Sequence, residues 1–152
     1  MDSKELIKSI EDNFHQYYRL LNKLQPEAME ANSIGEAHQL RDFLLTIASI
    51  QDEVLDYRLH KILQLEHPYI PKIHVEAVKR KRYSRFSVNQ LSDVFLKQRK
   101  ELIKLLYALP KEDWHRTGLH ELEGHITFKE LIRRIAEKDK QALGMLSEKI
   151  SG

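Results

Sequence analysis

Residues 47–65 read IASIQDEVLDYRLHKILQL, and their periodicity decides the fold class. With Phe43 included, Ile47, Ile50, Val54 and Tyr57 recur every three or four positions, and Leu45, Ala48, Leu55 and Leu59 form a second stripe beside them. That period is helical, and two adjacent stripes predict a helix over roughly residues 37–65 with a wide buried face. Asp52 interrupts the second stripe, between Ala48 and Leu55, where an apolar side chain is expected.

Upstream, Leu6, Ile10, Phe14, Tyr17, Leu21 and Leu24 lay one apolar stripe along a first helix of roughly residues 4–24. A polar link through Pro26 and Asn32-Ser33-Ile34-Gly35 joins the two. Downstream, His67-Pro68 and Ile70-Pro71 end helix two, because a residue before proline is pushed out of helical dihedrals. The next twenty or so residues read as a long crossing connection. Ser87-Val88-Asn89-Gln90 forms a capping box, in which hydroxyl and side-chain amide satisfy free backbone amides reciprocally. It opens helix three, which carries Leu91, Phe95, Leu102, Leu105 and Leu109. After Pro110, KEDWHRTGLHELEGHI (111–126) reads as folded loop around Gly118 and Gly124, with no strand pattern. Thr127-Phe128-Lys129-Glu130 is a second capping box, starting helix four with Phe128, Leu131, Ile135, Ala142 and Met145 on one face. Four amphipathic helices that cannot bury their stripes alone predict an all-α four-helix bundle, one domain over residues 1–152, with a long connection between helices two and three.

The composition narrows the function classes. The 152 residues include 41% hydrophobic ones, enough for one core. Lys and Arg number 25 against 23 Asp and Glu, so a net charge of +2 gives no global field to draw the chain onto nucleic acid or an anionic membrane. With no cysteine, thiolate metal sites, disulfides and cysteine nucleophiles are excluded. MDSKELIKSIEDNF reads as an amphipathic helix rather than a leader, and no apolar run has the ~18 residues of a span, so a cytoplasmic protein is expected.

Polar residues also interrupt the other stripes: Gln98 between Phe95 and Leu102, and Lys138 between Ile135 and Ala142. Arg99 flanks the same level, and His15, Tyr17 and Tyr18 stand at comparable height on helix one. An isolated buried charge is too costly, so this level predicts either an inter-helix pocket or a paired polar layer. Three arrangements fit: an Asp52–Lys138 ion pair, long side chains reaching out to solvent, or a stripe phased differently from this one.

The stretch 47–65 resembles the second-helix segment of the DinB/YfiT-like family, with Asp52, Tyr57 and Arg58 matching its pattern. Residues 109–143, LPKEDWHRTGLHELEGHITFKELIRRIAEKDKQAL, are similar to that family's turn and fourth helix, through Trp114, Arg116, Gly118, His120, Gly124, Thr127 and Leu131. Arg99 falls where the family commonly has a third-helix arginine. The resemblance implies a four-helix bundle, homodimerisation through a helix face, and the activity of a metal-dependent hydrolase or a transferase using a low-molecular-weight thiol. It implies metal ligands at three positions, one His on helix two and two on helix four spaced by four so that both imidazoles share a face. Here those positions hold Ser49, Lys138 and Ala142, with Asp139 retained after the second. Hydroxyl, ammonium and methyl cannot replace three imidazoles, so no divalent metal and no other cofactor is expected there. The expected site is instead a metal-free pocket at Ser49, Asp52, Arg99, Lys138 and Ala142 for a small-molecule ligand.

The remaining alternatives are weaker in pattern. His120 to His125 reads HELEGH, one residue too long for the zinc-protease motif, and His115, His120 and His125 would have to gather in a loop to make a relocated metal site for a hydrolase or transferase. KRKRYSR (79–85) carries five basic residues and could contact phosphates, but acidic helices surround it and a solvated loop is the expected reading. No nucleophile-elbow serine and no phosphate-cradling glycine loop is present.

Overall fold

A computed structural model of the protein describes residues 2–24 and 36–151. The link expected through Pro26 and Asn32-Ser33-Ile34-Gly35 lies outside the described residues. The first helix, α1 (Ser3–Leu21), opens on Asp2, whose carboxylate accepts the Glu5 N–H at 2.8 Å. The second, α2 (Glu36–Glu53), continues through a wider π-helical stretch, Val54–Leu59, into the short α3 (His60–Gln64). The expected continuous helix is therefore there, with a change of pitch in its last third. After the short α4 (Val75–Lys79) comes α5 (Val88–Ala108), and both halves of its capping box form: Gln90 N–H donates to Ser87 Oγ at 3.3 Å, and Ser87 N–H to Gln90 Oε1 at 2.9 Å. The last helix is α6 (Phe128–Ser151). Only half of its box forms: Glu130 N–H donates to Thr127 Oγ1 at 3.0 Å, while the Glu130 carboxylate turns to Arg133 and Arg134.

Two apolar clusters fill the bundle and reveal its directions. One joins Leu6 and Ile10 of α1 to Leu59 and Ile62, to Leu102 and Leu106 late in α5, and to Phe128 and Ile132 early in α6. The other joins Tyr17 and Leu21 to Leu40 and Leu44 early in α2, Val88 and Leu91 early in α5, and Leu143 and Leu146 late in α6. Helices α1 and α6 therefore run one way, and α2 and α5 the other. Two consecutive long helices that run parallel require the chain to travel back along the bundle between them, and residues 65–87 supply that length. Among the described residues no helix is long and apolar enough to cross a membrane.

A small sheet overturns the strandless reading of residues 111–126. Strands β1 (Tyr69–Ile70), β2 (Thr117–His120) and β3 (Gly124–Thr127) lie in that order, β1 parallel to β2 and β2 antiparallel to β3. Strands of two to four residues are too short for alternation to show, and β1 comes from the distant crossing connection. At Gly118 a Cβ would come within 2.5 Å of Ile70 Cδ1 and 3.1 Å of the Pro68 carbonyl oxygen, so β1 and β2 meet only because that position has no side chain. Gly124 opens β3 at φ +75°, a left-handed conformation that favours glycine. The sheet and the preceding 3₁₀ turn (Lys111–His115) close one end of the bundle: Ile70, Trp114 and Ile126 join the first cluster, and Trp114 meets Phe128 edge-on at 5.6 Å. Arg116 ties this cap to the end of α3, donating from Nε to the Ile62 carbonyl at 2.8 Å and from Nη2 to that of Leu65 at 3.0 Å.

Candidate functional site

Between the two apolar clusters every long helix contributes a buried polar residue. On α1 it is Asn13, between Ile10 and Tyr17; on α2, Gln51, between Ala48 and Leu55; on α5, Gln98 and Arg99, between Phe95 and Leu102; on α6, Asp139, between Ala136 and Leu143. Each lies three or four positions from its apolar neighbours, so each points inward at the same level. The Arg99 guanidinium makes a bidentate pair with Asp139, Nη1 to Oδ2 at 2.5 Å and Nη2 to Oδ1 at 3.1 Å, and its Nε donates to Gln51 Oε1 at 2.6 Å. Tyr17 Oη and Asn13 Nδ2 also donate to the Asp139 carboxylate, both at 3.1 Å. Gln51 Nε2 donates to Gln98 Oε1 at 2.9 Å and to the Phe95 carbonyl at 3.0 Å. Gln98 Nε2 then reaches Tyr83 Oη at 3.2 Å and Asp52 Oδ1 at 3.4 Å, and Tyr83 Oη donates to the same Asp52 oxygen at 3.0 Å. One chain of hydrogen bonds thus crosses the whole bundle.

The chemistry of this layer is balance. Arg99 and Asp139 are almost fully enclosed, with side-chain exposures of 4% and 6%, and a pair so deep persists only if its remaining donors and lone pairs are satisfied. Each guanidinium nitrogen of Arg99 has an acceptor in Asp139 or Gln51, the Asp139 carboxylate also accepts from Tyr17 and Asn13, and the guanidinium lies against the rings of Tyr17 and Phe95, at 5.6 and 5.4 Å from their centres. Burial raises the Tyr17 phenol far above its ordinary range, and the Asp139 charge raises it further against the opposing pull of Arg99, so Tyr17 stays a proton donor to Asp139. Tyr83 is raised for like reasons, by burial and then by Asp52.

Beside the layer lies a cavity of about 670 Å³, within the ~300–1,000 Å³ usual for small-ligand sites. Gln51, Arg99 and Asp139 form its floor, Ile47, Ile50 and Val54 one side, and Leu131, Ile135 and Ala142 the other. Arg58, His120, Arg133, Arg134 and Lys138 bring polar groups to it. The π-helical stretch contributes Val54, Leu55 and Arg58, so the change of pitch in helix two falls on the cavity wall. Burial, followed by the charges of Arg58 and Arg134, lowers the pKa of His120 below its ordinary value.

The structure divides the residues expected at the site. Arg99, Lys138 and Ala142 line the cavity, whereas Ser49 and Asp52 do not. Ser49 is buried with its hydroxyl unpartnered among the described residues, and the α2 side chain that reaches the cavity is Gln51. No Asp52–Lys138 pair forms: Asp52 turns outward to Tyr83 and Arg82, and Lys138 is exposed at the cavity edge. The buried ion pair is Arg99–Asp139 instead, because the stripes are phased one residue away from the phasing first read. Asn13 and Gln51 were missed for the same reason, and their signal was the spacing to Ile10 and Tyr17 and to Ala48 and Leu55. His15 and Tyr18 are exposed rather than part of the layer. His115, His120 and His125 stay apart: His115 is exposed on the 3₁₀ turn, His120 is at the cavity, and His125 stacks on His67 at 4.6 Å. Among the described residues no three His, Cys, Asp or Glu side chains converge to hold a metal ion. The basic run is bound to acids of helix two, Lys79 to Asp42 at 2.9 Å, Lys81 to Glu53 at 3.9 Å, and Arg82 to Asp52 at 3.6 Å and Asp56 at 3.8 Å.

No family model matches the chain, and no curated protein matches it. Among solved structures it is similar to YfiT from Bacillus subtilis, which is described as a probable metal-dependent hydrolase with an unusual four-helix bundle topology. That likeness covers 97% of this chain and 85% of the other at a TM-score of 0.71 and 13% sequence identity. At that identity what is shared is the fold: this protein is an all-α four-helix bundle with the topology of YfiT.

Proposed function

We propose that this chain is a small-ligand-binding bundle that keeps an inter-helix cavity and works there without a metal ion. The carrying observation is the donor set on the cavity wall. Lys138 offers an ammonium and Ala142 a methyl where the family resemblance calls for imidazoles, and neither has a lone pair to give a divalent cation. Both carboxylates on the wall are engaged: Asp139 accepts from Arg99, Tyr17 and Asn13, and Glu123 pairs with Arg134. His120 is the imidazole on the wall, and one of its nitrogens accepts the Leu122 N–H at 3.2 Å. These residues do not fit a metal, and no reaction step is routed through one. They do fit a ligand that is held by apolar contact and oriented by a few polar groups.

The test has two parts. Untagged protein is incubated with zinc, nickel or manganese, desalted and analysed by mass spectrometry; near-stoichiometric metal would overturn the metal-free reading and favour a relocated hydrolase or transferase site. A small-molecule library is then screened by thermal shift against the parent and Ala142→Phe, which fills the cavity. Compounds that raise the melting temperature of the parent but not of the variant support the reading. A screen in which every hit acts equally on both sinks it.

A further inference from the structure

We infer that the cavity takes an amphipathic carboxylate, its head held by Arg58, Lys138 and His120 and its apolar body lying along the aliphatic wall. This deepens the ligand-binding reading and rests on it. The cations on the wall are not equally free. Arg99 is neutralised by Asp139, Arg133 by Glu130 and Glu137, and Arg134 by Glu123 and Glu130. Among the described residues neither Arg58 nor Lys138 has a carboxylate at ion-pair distance; the charge of Glu53 reaches Arg58 only from farther off.

Arg58 is the more telling of the two. It is only 8% exposed, and its described hydrogen bond runs from Nη2 to the carbonyl oxygen of Pro71, which carries no charge. A guanidinium has five N–H donors, and one this buried with a neutral carbonyl for its partner and no carboxylate in direct contact still has donors to satisfy, so the position favours an incoming anion. His120 adds a neutral donor: with its Nδ1 accepting the Leu122 N–H, the proton of the uncharged ring lies on Nε2. Arg58, His120, Arg134 and Lys138 all line this one cavity.

The remainder of the wall selects the body of the ligand. Ile47, Ile50, Val54, Ile73 and Ile135 line it, and Leu122, 69% exposed, stands at its edge with no apolar cover. A planar carboxylate suits one guanidinium that still has donors free plus one ammonium, and the aliphatic wall suits an alkyl or aryl body.

The probes are decanoate, decanol and decylamine, with binding read by titration calorimetry on the intact chain. Decanoate is expected to bind about tenfold or more tightly than decanol, and decylamine more weakly than either. Lys138→Glu, at an exposed position that the fold does not use, is expected to weaken decanoate about tenfold and leave decanol unchanged. Arg58→Met is expected to do the same if it folds, and the Lys138 variant decides if it does not. Equal affinity for decanoate and decanol, or decanoate binding indifferent to Lys138→Glu, overturns the inference. If the thermal-shift screen finds cavity-dependent ligands but decanoate is not bound, the inference fails and the ligand-binding reading stands; if no compound depends on the cavity, both fail.

Discussion

At the scale of single residues, Asp139 is where chemistry and stability meet. Its carboxylate collects four donor contacts, and removing it leaves the Arg99 guanidinium buried without a counter-charge. Asp139→Ala is expected to cost about 3–5 kcal/mol in urea unfolding. Arg99→Met should cost a similar amount, and the double variant clearly less than the sum, because the second change removes a charge the first had stranded. Additive losses would show that the pair is not coupled. Lys138 gives the contrast: exposed and unpaired, it should leave the denaturant midpoint of Lys138→Met at the parental value, whereas a midpoint shift would restore the ion pair expected from the sequence. His120 carries the pH dependence. Its pKa is lowered from 6.5 by burial, then by Arg58 and Arg134, with Glu121 opposing them and Lys138 adding least. The fold thus favours the neutral ring, and its stabilising effect is complete above pH 6.5 and lost as pH falls through the folded-state pKa. An NMR titration of the His120 ring should show a midpoint below 6.5, and an upward shift when decanoate neutralises the nearby cations.

At the scale of elements, the capping sheet and the π-helical stretch are what adapt a plain bundle to a cavity. The sheet depends on the close approach of β1 to β2 over Gly118. Gly118→Ala is expected to destabilise by about 1–3 kcal/mol, since Ile70 must move and the Pro68 carbonyl cannot easily do so. Thermal unfolding of the variant checks this, and a melting temperature equal to the parent's would mean that the strands separate at no cost. The helices themselves were legible because eighteen or more residues of regular apolar spacing outweigh any single polar interruption. The strands were not, because a two-residue β1 has no period of its own and gains its hydrogen bonds only from a partner far along the chain. The π-helical stretch was equally hidden: VLDYRL contains neither proline nor glycine to mark a change of pitch.

At the scale of the whole molecule, the parallel run of α2 and α5 shapes both the connection and the surface. Residues 65–87 return along the bundle and set Lys79, Lys81 and Arg82 of the basic run against the acids of helix two, which offsets much of its charge internally. In filter binding at low and high salt, no nucleic acid is therefore expected to be retained at either; salt-dependent retention would show that the run is free to meet phosphates. The sequence by itself determined what local spacing can encode: four amphipathic helices, the capping box at Ser87, the long connection, and a polar level at mid-bundle. Tertiary structure decided the rest. Helical periodicity locates a stripe only to within one residue of phase, about 100° of arc, which is enough to exchange Asp52 and Lys138 for Gln51 and Asp139 as the inward-facing groups. Which acid meets which base is then settled by the packing of α5 against α2 and α6, where only Asp139 can give Arg99 a buried, fully hydrogen-bonded partner.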